Sequence, residues 1–193
     1  MKRNILIALA ISLISPSLYA GAGHQMDMLA MVMNGNSDRL PMDCDAVSED
    51  VQFTVRAGTG HAINSRGKLF GYSSNDWQVP PCARVTVTFI NDDDVRHQWM
   101  LHGLPKYLYP QGMFHMELNG RGQTTGSFIV PSDERTYMVH CDIPQHTEKG
   151  MKAQLKVGKG SGNLDSVPGV SGDAYPDNYR ISATTTETGL NRS

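Results

Sequence analysis

His140-Cys-Asp-Ile-Pro-Gln-His-Thr-Glu-Lys-Gly-Met151 sets a thiol (Cys141), an imidazole (His146) and a thioether (Met151) at equal spacing along one short segment. Ahead of it, Thr136-Tyr-Met-Val-His-Cys141 alternates as a strand does, and behind it Lys152–Val157 alternates again. The segment is therefore expected to be a loop strung between two strands, stiffened by Pro144 and able to turn at Gly150.

Working outward, the same alternation appears in Val51–Val55 and Val85–Phe89, where apolar side chains share one face and Thr or Gln the other. Asp76–Val79, Arg96–Leu101 and Gly126–Val130 are further strand candidates, separated by turn-forming clusters such as NDDD, PKYLYPQG, NGRGQ and PSDE. No helical period is sustained after residue 34. Many short strands with frequent turns predict an all-β antiparallel sandwich, with the domain placed at residues 47–158.

The ends read differently. Residues 1–20 carry Lys2 and Arg3 ahead of an apolar run, the layout of a secretory signal peptide, with the cut after Ala20 or Ala22. That run is short for a bilayer span, so no stable membrane span is expected once it is removed, and the destination is the periplasm. Residues 21–46 form a Met-rich N-terminal extension. Residues 159–193 are rich in Gly, Ser, Thr and Asp and read as a flexible, low-complexity tail with Tyr175 and Tyr179 as docking points. A formal charge of −2 gives no support to nucleic-acid binding. Of three cysteines in an exported chain, Cys44 and Cys82 are the natural disulfide pair, because Cys141 sits in the loop.

The loop's chemistry is specific. Thiolate and thioether are soft ligands, and two imidazoles, one thiolate and a weak axial Met are the donor set of electron-transfer copper. Zinc is disfavoured, since a thioether suits it poorly. The loop supplies three donors; the fourth must come from another strand, and His97 in Asn91-Asp-Asp-Asp-Val-Arg-His-Gln-Trp99 is the candidate.

The C-x4-H-x4-M spacing after a strand, with an upstream H-Q-W at a strand edge, resembles the cupredoxins, or blue copper proteins, including rusticyanin-like and auracyanin-like members. The resemblance covers residues 50–158. It implies a Greek-key sandwich binding one type 1 copper through His97, Cys141, His146 and Met151. It looks closest to periplasmic copper-tolerance cupredoxins with a Met- and His-bearing N-terminus. The implied role is single-electron transfer with a redox partner or copper-handling protein, in copper tolerance or periplasmic electron transport.

Two further features suggest more metal. If both strands alternate, His102 and His140 point to the face opposite His97 and Cys141 and can meet there. This pairing resembles copper nitrite reductases, where histidines so placed help bind a second copper; His115 would complete a three-His set. Met26, Met28, Met31 and Met33 suit a Cu(I)-binding arm, or else a segment that packs on the sandwich. Sequestration or delivery of copper, and a small copper enzyme acting on nitrite or cuprous ion, stand as alternatives. His24 and His61 read as ordinary solvated side chains.

Overall fold

The computed structural model describes residues 29–64 and 67–171. The signal segment, His24, Met26, Met28, Tyr175 and Tyr179 lie outside the described residues.

Among the described residues there are ten strands and no α-helix: β1 (Ala30–Met33), β2 (Asp50–Gly58), β3 (Gly71–Tyr72), β4 (Asp76–Val79), β5 (Arg84–Asn91), β6 (His97–His102), β7 (Met113–Leu118), β8 (Gly122–Ile129), β9 (Thr136–His140) and β10 (Lys152–Val157). They form a six-stranded sheet in the order β1-β7-β6-β9-β10-β4 and a four-stranded sheet in the order β3-β2-β5-β8. The sandwich is thus all-β, as expected. Its strands are not all antiparallel, however: β2 pairs with β5, and β4 with β10, in parallel. The chain crosses to the other sheet between such partners, and a crossover returns a strand parallel to its neighbour.

The core fills the space between the sheets. Val55, Val85, Val87, Phe89 and Phe128 from one sheet meet Trp99, Leu101, Phe114, Met116, Val139 and Leu155 from the other, all fully buried. Trp99 stacks at its edge on Phe53, Trp77 and Phe114, with ring centroids 5.9–6.4 Å apart. Each such side chain contributes roughly 1.5–3 kcal/mol by leaving water.

Three strands were not legible in the sequence. β7, MFHMEL, points Phe114, Met116 and Leu118 inward, but its outward side carries Met113, His115 and Glu117 rather than small polar residues, so no clean alternation shows. β3 has two residues. β1, within the expected N-terminal extension, pairs with β7 at the margin of the six-stranded sheet. Beyond it, Asn36 bonds Tyr109 and Ser127, and Cys44 joins Cys82 in the expected disulfide.

Residues 159–171, assigned by composition to the tail, lie against the sandwich. Val167 is fully buried, the Thr136 hydroxyl donates to the Gly162 carbonyl (2.6 Å), and Gln154 bonds Asn163 and Leu164. Local backbone and amide bonds substitute there for apolar content. No helix among the described residues is long and apolar enough to cross a membrane.

Candidate metal centre

β9 ends at His140, so Cys141 sits immediately past the strand, where the backbone is still held: its N–H donates to the Met151 carbonyl at 3.2 Å. The intervening loop folds as consecutive turns. The N–H of His146 reaches the Ile143 carbonyl (3.0 Å), Lys149 the Gln145 carbonyl (2.8 Å), and Met151 the His146 carbonyl (2.9 Å). Gly150 adopts φ +108°, and a Cβ there would come 3.0 Å from the Phe70 carbonyl oxygen; only glycine lets the loop turn while touching that strand. The Thr147 hydroxyl donates to the Cys141 carbonyl at 2.6 Å, tying the loop's middle back to its start.

These contacts bring together the residues that the sequence singled out. Ligating atoms of His97, Cys141 and His146 all lie within 4.8 Å of one another, the one such group of His, Cys and carboxylate residues among the described residues. The Nδ1 atoms of His97 and His146 are 3.2 Å apart, and Cys141 Sγ is 3.4 Å from His146 Nδ1. All three residues are buried, Cys141 is not disulfide-bonded, and Met151 is fully buried beside them in the chain.

The surroundings leave the donors uncharged. Burial, and then the neighbouring His97, push His146 down to about 4. Burial also lowers His97, against the pull of Asp93. Burial pushes the Cys141 thiol up to about 11, although backbone bonds from Ile143 and Gln98 oppose it. Two neutral imidazole nitrogens and a thiol, each short of partners and facing one point, form a donor set that fits copper.

Several supporting residues went unnoticed in the sequence. Asp93 Oδ2 lies 2.9 Å from His97 Nε2, and Asp93 is itself held by the N–H and hydroxyl of Thr59. Its acidity rises because the bonds to His97 and Thr59 outweigh its partial burial. The signal was present as an acid four residues before a candidate ligand, inside a cluster read as a turn. Phe70 stacks on His146 at 4.1 Å between centroids and meets His97 edge-on at 5.5 Å. The Gln98 side chain accepts from the Asp142 N–H (3.0 Å) and donates to Glu117.

The remaining candidates fall elsewhere. His102 and His140 do meet on the opposite face of the sheet, their rings stacked at 4.8 Å and 17°. His115 is on the same face, but the three do not converge as the His97 group does. Met31 and Met33 are on β1, both partly exposed. His61, read as solvated, bonds Asp92 at 2.7 Å.

No curated protein matches the chain. Among solved structures, auracyanin A, a "blue" copper protein from Chloroflexus aurantiacus, is 19% identical, with 55% of this chain and 98% of that one covered and a TM-score of 0.41. Auracyanin from Roseiflexus castenholzii is 21% identical, covering 58% and 98% at 0.41. A multi-copper oxidase from Pseudomonas thermotolerans is 15% identical, covering 70% of this chain but 32% of the oxidase, at 0.42. The family profile described as multicopper oxidase matches residues 45–161, more than half of the sequence and the whole of the sandwich from β2 to β10. The chain therefore belongs to the multicopper oxidase family, as a copper protein with the cupredoxin sandwich.

Proposed function

We propose that this is an exported type 1 copper protein that carries single electrons, with His97, Cys141 and His146 as the strong ligands and Met151 as the weak axial one. The convergence of the His97, Cys141 and His146 donor atoms in a buried pocket carries this reading. Bound copper supplies a one-electron couple. Cys141 gives up its proton to become the thiolate ligand and the main electronic coupling. His97 is held by Asp93, and His146 by the Phe70 ring, so both imidazoles keep their aim whether or not the charge at the centre changes. His146, on the loop and 8% exposed, is the exit toward a redox partner or copper-handling protein. The disulfide and the N-terminal signal sequence support a periplasmic setting, in copper tolerance or electron transport.

The test is a visible and paramagnetic-resonance spectrum of copper-loaded protein beside Cys141→Ser. The parent should be intensely coloured and the variant colourless with an unchanged circular dichroism spectrum. A folded Cys141→Ser protein that keeps the colour would remove Cys141 from the site.

A further inference from the structure

The outward face of the six-stranded sheet is unlike that of its partner sheet. On the four-stranded sheet the solvent side carries Thr86, Thr88, Thr125 and Ser127, joined in hydroxyl pairs. This is the ordinary composition of a wet face. On the six-stranded sheet, strand register places Met33 (β1), His115 (β7), Met100 (β6) and His140 (β9) in one row across four strands. The next row holds Met113, His102 and Met138. Paired residues share a face, and the intervening ones, such as Leu101, Phe114 and Val139, fill the core. Methionine and histidine thus alternate in both directions, with every imidazole flanked by thioethers on neighbouring strands.

The imidazoles in this grid lack the partners that structural histidines normally have. His102 Nε2 and His115 Nε2 are buried atoms without a hydrogen bond, His115 being 3.7 Å from the nearest Glu117 oxygen. Burial lowers the pKa of both, so their ring nitrogens keep free lone pairs. His140 makes only a long contact, 3.3 Å, with the Thr147 hydroxyl. An orphaned buried polar atom costs about 1–3 kcal/mol, and three imidazoles in this condition on one face are explained by a ligand that they bind.

We propose that this face is a second metal site, taking one Cu(I) ion on the imidazoles of His102, His140 and His115 and the thioethers of Met100, Met113 and Met138. It is distinct from the His97 centre, because it lies on the other side of the sheet. Thioethers select a soft monovalent ion over Cu(II) or Zn(II), and neutral imidazoles accept it without expelling protons. Glu117 and Asp142 supply negative potential nearby: the Glu117 carboxylate faces His115, and Asp142 acts on all three rings. Arg96 and Lys152 are the opposing cations, and neither is among the proposed donors. Met33 stands at the rim, 38% exposed, where an arriving ion would first meet sulfur.

The test is anaerobic Cu(I) uptake by the full chain against a chromophoric chelator, with three variants alongside. The parent should hold two ions per chain, Cys141→Ser should retain the outer one, and Met100→Leu/Met138→Leu/His102→Gln should lose it while keeping the type 1 colour with Cu(II). Met26→Leu/Met28→Leu separates the N-terminal thioethers and should leave the count at two. Titration with Ag(I), a redox-silent probe, should move the methyl resonances of Met100, Met113 and Met138 before those of other methionines. Uptake in the triple variant equal to the parent's, loss of the second ion on changing Met26 and Met28 alone, or Ag(I) shifts confined to other methionines would overturn the proposal. The type 1 reading fails separately, through the colour of the Cys141→Ser protein.

Discussion

Asp93 Oδ2 stands 2.9 Å from His97 Nε2, which turns the other ring nitrogen of His97 toward His146 and Cys141. The carboxylate fixes the tautomer as well as the ring plane, since a proton on Nε2 leaves the lone pair on Nδ1. Asp93→Asn should therefore weaken copper binding by roughly 10–100-fold with the fold intact. Competition against a copper chelator measures it; an unchanged affinity would mean that His97 is held by packing alone.

Copper loading near neutral pH should release one proton per chain. The imidazoles are already neutral there, whereas the Cys141 thiol, pushed up to about 11, still carries its hydrogen and must lose it to ligate. A pH indicator in weak buffer counts the release, and release of two protons or none would contradict the protonation states described.

Metal-free protein should be most stable between about pH 6.5 and 9. His146 titrates at about 4 when folded against an ordinary 6.5, so between those values the unfolded chain binds a proton that the folded chain refuses, and stability falls as the pH drops through that window. Cys141 works in the opposite sense: from 9.0 to about 11 the unfolded chain loses a proton that the folded chain retains, and stability falls as the pH rises. Denaturant midpoints across the range should trace a plateau with two shoulders, and a midpoint that is flat down to pH 4 would count against the buried neutral His146.

Gly150→Ala should destabilise the protein by about 1–3 kcal/mol, because φ +108° is strained for any side chain and the new Cβ would press on the Phe70 carbonyl. The loss should be accompanied by an altered visible spectrum, since Met151 is the next residue. A spectrum identical to the parent's would separate Met151 from the copper.

Removing the Cys44–Cys82 bridge as Cys44→Ala/Cys82→Ala should cost about 2–4 kcal/mol, a range set by the loop of 38 residues that it closes. Copper colour should survive in the folded fraction, because the bridge does not belong to the His97, Cys141 and His146 group. Chemical denaturation with spectral monitoring tests both points.

The first metal centre was legible because its chemistry is local. Cys141, His146 and Met151 belong to one loop, and only His97 had to be brought in from another strand. The supports were not legible for the converse reason. Phe70 reaches His146 from a distant stretch with no pattern of its own, and Gln98 joins Glu117 to Asp142 through three separate elements. β7 escaped because Met113, His115 and Glu117 occupy positions where a sheet usually shows Thr, Ser or Lys. The parallel pairs escaped because alternation reveals which face a residue takes but not which neighbour a strand chooses.

β1 shields the flank of β7 with four residues from the chain's own beginning. Cutting the protein at residue 46 would strip that cover as well as Cys44, and would bare a row of amide and carbonyl groups able to template another copy. N-terminal processing is thereby bound to solubility: a protease that nicks between Met33 and Cys44 would threaten clumping rather than simply trimming a dispensable leader.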